Sequence, residues 1–150
     1  MAKKETVIDV NQFVVFRLGK EEYGIDIHKV TTIERASFIT RVPKTAEFVE
    51  GVMSLRGEII PVIDLRKRFN LPKVEQTDES RIIVFKVEDV VLGMIVDMVT
   101  EVVTIPSDNM EGIGSLANEH LANYVYGVGK IGDRIITLLN LESLIENTQD

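Results

Sequence analysis

The sequence predicts an all-β protein built from two small barrels. Three observations carry this reading: short β-branched and aromatic runs follow one another across tight turns, no strand–helix–strand alternation interrupts them, and the pattern occurs twice. Phe13-Val14-Val15-Phe16, Tyr23-Gly24-Ile25 and Val30-Thr31 return 69 positions on as Ile82-Ile83-Val84-Phe85, Leu92-Gly93-Met94 and Val99-Thr100. Val49 to Phe69 returns 76 positions on as Val125 to Ile145, with Gly51-Val52, Ile59-Ile60 and Leu65 matched by Gly127-Val128, Ile135-Ile136 and Leu141. The repeat suggests two subdomains of roughly 65 residues, in copies at about 12–72 and 81–147, each with a core thin enough that the two should share surface.

Each element has its own reason. Residues 1–11 are polar and read as an N-terminal arm, and 148–150 as a tail. Residues 12–18 alternate and favour a strand; Gly19 to Glu22 is a turn, and Tyr23 to Ile27 returns as a hairpin. Val30 and Ile33 continue the apolar contacts past Asp26 and His28. Residues 36–44 are a connection and short strand ending at Pro43. Thr45 to Glu50 reads as a helical turn, capped by Thr45 and ended by Gly51. Val52–Leu55 and Glu58–Ile63 make a hairpin around Arg56-Gly57, and Asp64 opens a helix over 65–70 that Pro72 stops. Residues 73–80 are a polar linker. Copy two then gives hairpin strands at 81–87 and 90–96, a strand at 99–105 and a hairpin of 124–128 with 134–139. Asn140 opens a final helix over 141–146. The 17 residues from Ser107 to Asn123 are long for a connection in a compact domain and read as a partner-facing or mobile loop.

Composition narrows the function. A formal charge of −7 weighs against unspecific nucleic-acid binding, and with no Trp it opposes an oligonucleotide-binding barrel. The absence of cysteine excludes disulfides, thiolate metal sites and cysteine nucleophiles, and fits a reducing cytoplasm. No signal peptide or membrane-spanning run is expected, so any membrane contact is indirect.

Catalytic and ligand motifs fail on context. Gly127-Val-Gly129-Lys-Ile-Gly132 spells a dinucleotide fingerprint, yet a strand rather than a helix follows it, so no nucleotide cofactor is expected. His28 and His120 are the only histidines, and no spacing gathers metal ligands around them; His28 is expected on a solvent-facing strand position and His120 on a loop. Asp64 and Asn140 occupy equivalent places and read as helix caps. An alternative, a small hydrolytic or ligand-binding barrel using Asp26, Asp64 or Asp97, is opposed by the Asn at the second position. The apolar set Val14, Ile27, Val30, Ile33 and Val99 has a core reading and a groove reading, since a strand buries one face and some of these should point outward. Arg56 is either a turn residue braced by an internal carboxylate or an arginine poised for a partner's carboxylate. Bracing is the preferred expectation, because the equivalent turn, Gly132-Asp133, manages without an arginine.

The run Phe48-Val-Glu-Gly51-Val-Met-Ser-Leu55-Arg56-Gly57-Glu-Ile-Ile-Pro61-Val-Ile-Asp64-Leu65 closely resembles, without a gap, the signature of the chemotaxis coupling family, CheW. The resemblance extends over about 130 of the 150 residues, and the chain looks like a stand-alone member. It implies two five-stranded, SH3-like β-barrels with a groove between them, in one domain over 12–147. It also implies a cytoplasmic adaptor without catalytic activity or cofactor. Such a protein bridges the cytoplasmic tips of chemoreceptors to the regulatory domain of the histidine kinase CheA, at the inner face of the membrane. Carried over position by position, the receptor-facing groove includes Val14, Ile27, Val30, Ile33, Val99 and Thr100. Arg56 and Gly57 match the family's arginine turn. The Arg41-Val42 strand and the 107–123 segment, with Leu116, are the candidates for kinase contact. Many members carry an acidic residue where this chain has Thr32, with Glu34 nearby.

Overall fold

A computed structural model describes residues 11–36, 39–40, 49–112 and 123–148. Among the described residues eleven strands carry the fold: β1 (Gln12–Leu18), β2 (Glu21–Asp26), β3 (Val30–Arg35), β4 (Val49–Leu55), β5 (Glu58–Asp64), β6 (Arg81–Val87), β7 (Val90–Val96), β8 (Met98–Thr104), β9 (Met110–Glu111), β10 (Val125–Ile131) and β11 (Arg134–Leu139). Two short helices follow the second hairpins, α1 (Leu65–Arg68) and α2 (Leu141–Thr148), and 3-10 turns occupy Ile27–Lys29 and Ser107–Asn109.

One sheet runs β8-β1-β2-β11-β10-β9 and the other β3-β6-β7-β5-β4. The sheets are therefore not the repeat copies. Each takes the opening hairpin of one copy and the remaining strands of the other. The joins are equivalent parallel pairs, Val62 beside Gly93 and Leu138 beside Gly24. The expectation of one subdomain per copy is corrected by this exchange: neither barrel can form from one copy alone. Each sheet also closes on itself. The chain after β8 returns as β9 against β10, and the chain after β3 returns as a bridge from Thr40 to Val52 of β4. At each closure a glycine admits the incoming backbone. A Cβ at Gly51 would collide with the Thr40 carbonyl, and one at Gly127 would stand 2.8 Å from the Glu111 carbonyl oxygen.

Three cores result. Phe13, Val15, Ile105, Ile136 and Leu138 fill one barrel; Ala36, Met53, Ile60, Val62, Ile82, Val84 and Ile95 fill the other. Between the barrels lies the largest cluster, including Val14, Phe16, Tyr23, Ile25, Leu65, Ile83, Phe85, Met94 and Leu141. A ladder of rings runs through it. Phe16 stacks on Tyr23 at 5.5 Å, Tyr23 meets Phe69 at 5.7 Å, and Phe69 meets Tyr124 at 5.7 Å beneath the Arg68 guanidinium. Burial, assisted by Glu21, pushes the Tyr23 hydroxyl pKa up to about 12.

Most sequence expectations for strands hold, and the departures have local causes. Val30–Arg35, read only as continuing apolar contacts, is the strand β3. Val49 and Glu50, assigned to a helical turn, begin β4 because they ladder with β5; the rest of that turn lies outside the described residues. β10 runs through Lys130 and Ile131, so only Gly132-Asp133 turns. His28 sits in a 3-10 turn rather than a strand, exposed, with Nδ1 3.0 Å from Asp26 Oδ1. His120 and residues 113–122 lie outside the described residues. Among those described, no helix is long and apolar enough to cross a membrane.

Candidate functional site

The carboxylates that could support chemistry are engaged in holding the fold. The Asp64 side chain accepts from the amides of Arg66 (3.0 Å) and Lys67 (3.5 Å), capping α1. Asn140 Oδ1 accepts from Ser143 N at 3.2 Å in the equivalent place. The Asp26 side chain accepts from the His28 amide at 2.9 Å and so caps the first 3-10 turn. Asp97 receives a fork from Arg66, Nε to Oδ1 at 3.0 Å and Nη2 to Oδ2 at 2.6 Å, and also the Gly19 amide at 2.7 Å. Burial opposes the Asp97 charge, but the Arg66 and Gly19 hydrogen bonds and the Arg66 charge outweigh it and hold the carboxyl below its usual range. This cluster ties the first hairpin of one sheet to α1 of the other.

Asp64 and Asp97 line a cavity of about 430 Å³ with Glu50 and Arg66. A second cavity, of about 340 Å³, is lined by Asp26, Tyr126, Asn140 and Glu142. The two are repeat counterparts: Glu50 answers to Tyr126, Asp64 to Asn140 and Arg66 to Glu142. Across the second, Lys29 Nζ meets Glu142 Oε2 at 3.3 Å. An Arg66–Asp97 pair lines the first and a Lys29–Glu142 pair the second, so the repeat positions Arg66 and Glu142 carry opposite charge. Burial pushes the Tyr126 hydroxyl pKa up to about 12, aided by Asp26. No cluster of three metal-ligating side chains occurs among the described residues. The glycine fingerprint lies along β10 and its turn, with no helix start to receive a phosphate.

The apolar candidates behave differently. Ile27, Val30 and Val99 are partly buried, and all three pack at the margin of the one central cluster. Ile33 is 39 % exposed and Thr100 is exposed. Thr100 stands at a bulge in β8, where its hydroxyl donates to the Val15 carbonyl at 3.2 Å. Val14 is a correction: at 3 % exposure it belongs to the core and offers no surface. β1 is buried on both faces, between its own barrel core and the central cluster, so the one-face rule fails for it. Thr32 donates to Glu34 Oε2 at 2.9 Å, and both stand opposite barrel-core residues, Val84 and Ile82. They therefore lie on the other face of β3 from Val30 and Ile33.

Sequence reasoning missed Val102, which is 50 % exposed on β8. The repeat could have found it, since Val102 stands 69 positions after Ile33.

Arg56 and Gly57 form the β4–β5 turn, both with positive φ, 51° and 84°. This fits a type I′ hairpin, which favours glycine or asparagine at the first position. Arg56 is exposed and makes no hydrogen bond or ion pair among the described residues, so the expected internal brace is absent. Arg41, Val42 and Leu116 lie outside the described residues.

Comparison with known proteins follows this geometry. Residues 12–149 match the family model of the CheW-like domain. The chain is 35 % identical to the chemotaxis protein CheW of Klebsiella aerogenes, over 92 % of this chain and 83 % of the relative. It is 34 % identical to that of Helicobacter pylori, over 97 % and 87 %. A crystal structure of the scaffolding protein TtCheW from Thermoanaerobacter tengcongensis superposes with a TM-score of 0.80 at 38 % identity, covering 87 % of this chain and 89 % of that one. With its two interlocked SH3-like barrels and matches along nearly its whole length, the chain belongs to the CheW family.

Proposed function

We propose that this chain is the scaffold that couples chemoreceptor cytoplasmic tips to the histidine kinase CheA, recruited to the inner face of the membrane through those receptors. Its role is adaptor rather than enzyme, as the family membership implies. One observation carries the binding half of this reading. Apolar side chains from both repeat copies, Ile27, Val30 and Val99, remain at the rim of the cluster joining the barrels, and Ile33 stands exposed on β3. Asp26, Asp64 and Asp97 are meanwhile engaged in caps and a fork. An apolar rim suits the apolar stripe of a helix, and a receptor tip is a helical hairpin. Val14 supports this surface from beneath, and Thr100 borders it.

Kinase contact falls to other surfaces. Ile59 and Ile135, 67 % and 59 % exposed, are equivalent positions on the second hairpins of the two copies. A kinase regulatory domain of related barrel fold would find an apolar patch on each barrel, with Arg56 at one hairpin tip for a carboxylate. Arg41, Val42 and Leu116 stay proposed kinase contacts from the resemblance. Mixing the protein with a purified kinase regulatory domain and, separately, with a receptor-tip fragment tests the reading. Ile33→Asp should lose the receptor tip and keep the kinase. A chain that binds neither partner refutes the proposal.

A further inference from the structure

Resting on the reading of this chain as the seat of a receptor's helical tip, we propose that the cavity between β2, β10 and α2 anchors an arginine side chain of that tip. The cavity, about 340 Å³, is lined by Asp26 and Lys29 where β2 ends and its 3-10 turn follows, by Tyr126 of β10, and by Asn140 and Glu142 where α2 begins. Two carboxylates face one ammonium there, which leaves a negative charge in excess. Asp26 is satisfied on one oxygen only. The His28 amide and ring nitrogen both meet Oδ1, at 2.9 and 3.0 Å, while Oδ2 accepts no hydrogen bond among the described residues. Glu142 likewise meets Lys29 through Oε2 alone, and the half-exposed Tyr126 hydroxyl has no hydrogen-bond partner among the described residues. The wall therefore offers acceptors and a ring face to a cation that the chain does not supply.

The repeat counterpart shows such a cavity provided with its own cations. There Arg66, Lys67 and Arg68 occupy the places that Glu142, Ser143 and Leu144 occupy in copy two. Arg66 forks on Asp97, and Lys67 Nζ meets the buried Glu50 at 3.4 Å. Copy two lacks all three cations and carries Tyr126 in the place of Glu50. Lys29 is the one cation lining its cavity, and it acts through a partly exposed ion pair, which is a weak hold. A guanidinium suits this wall better than an ammonium, because its flat face covers a tyrosine ring while its edge donates to carboxylates. The chain already makes the first of these contacts itself, with the Arg68 guanidinium 4.9 Å from the Tyr124 ring centre. Position ties the anchor to the receptor rather than the kinase. Asp26 and Lys29 bracket Ile27 and lead into Val30, both at the margin of the central cluster, and Leu141, next to Glu142, is buried in that cluster. The apolar contact and the charged one are then neighbours, with the arginine flanking the apolar stripe of the docked helix.

The test measures binding of a receptor-tip helical-hairpin fragment by calorimetry, with a melting curve for each variant of the full chain. Glu142→Lys and Tyr126→Leu should each weaken binding by about tenfold at near-normal melting, the first by setting like charges together and the second by removing the ring face. Glu142→Gln should weaken it less. Glu111→Gln, which removes an exposed carboxylate paired with Lys130, should bind as the parent does. Replacing the fragment's arginines singly by glutamine identifies the anchored group: one of them should matter far less to Glu142→Gln than to the parent. Strictly additive losses for every arginine would count against the anchor. Parental affinity in Glu142→Lys and Tyr126→Leu, with Ile33→Asp still losing the tip, would overturn the anchor and leave the receptor reading standing. Parental affinity in all three would remove the receptor reading itself. Loss of kinase capture in place of tip binding would overturn the assignment to the receptor. If Glu142→Lys does not fold, Glu142→Gln decides in its place, with parental affinity counting against the proposal.

Discussion

Replacing Arg56 by glycine should make the protein more stable and a poorer partner. Arg56 holds φ 51° at the first central position of a tight hairpin turn. The left-handed region costs an ordinary L-residue about 1–2 kcal/mol. Glycine avoids that cost, but loses about 0.5–1 kcal/mol more conformational freedom on folding. The balance favours Arg56→Gly by roughly 0.5–1 kcal/mol, or about 1–4 °C in Tm for a chain of this size. The equivalent position in copy two, Gly132 at φ 57°, already has that solution. A strained arginine without an internal partner among the described residues is a reason to look for an external one. Thermal melts should show Arg56→Gly equal to or above the parent, and a kinase pull-down should show weaker capture. Arg56→Lys should melt normally yet fail to restore a forked contact, because an ammonium cannot make two parallel hydrogen bonds. A clear fall in Tm for Arg56→Gly would refute this reasoning and restore the bracing role.

Other expectations follow from the same geometry. Asp64→Ala and Asn140→Ala should each lower stability by about 0.5–2 kcal/mol as lost caps, measured by urea titration, with no change in partner affinity of the folded protein. The Arg66–Asp97 fork lowers the folded Asp97 pKa, so its stabilisation is complete above the unfolded value of about 3.9 and is lost as pH falls through the folded pKa. Melts between neutral and strongly acid pH should therefore fall less steeply at the acid end in Asp97→Asn than in the parent. Gly51→Ala should destabilise severely, because the new Cβ meets the Thr40 carbonyl at the barrel closure, whereas Gly57→Ala adds only turn strain. Equal melting of the two would contradict that account. Gly129→Ala should disturb packing against Ile105 without altering nucleotide affinity; tight nucleotide binding by the parent would overturn the reading of that glycine run.

The strands were legible because period-two alternation and β-branched runs report local geometry, and because turns such as Glu88-Asp89 and Gly132-Asp133 separate them cleanly. The caps were legible for the same local reason. The exchange of hairpins was not. Gly24 beside Leu138 and Gly93 beside Val62 are equivalent joins, so the repeat itself makes either hairpin a fit for either sheet. Pairing across copies is chosen by the chain path and not by local pattern. Val14 was misplaced because an alternating reading of residues 12–18 gives that strand a solvent face, whereas Phe13-Val14-Val15-Phe16 is a continuous apolar run. Such a continuous run marks a strand covered on both sides, here by a barrel core and the central cluster. The bulges at Thr31 and Thr100 were also hidden, and with them the faces of Ile33 and Val102, since an extra residue in one strand shows only against its partner.

The central claim is that one molecule of this protein holds a receptor and a kinase together. Co-sedimentation with vesicles bearing chemoreceptor tips tests it most directly, with the kinase added in the presence and absence of this chain. The account predicts that kinase pellets with the vesicles only when the chain is present, and that Ile33→Asp abolishes the effect while still binding kinase in solution. Equal pelleting of the kinase without the chain, or full recruitment by Ile33→Asp, would contradict it.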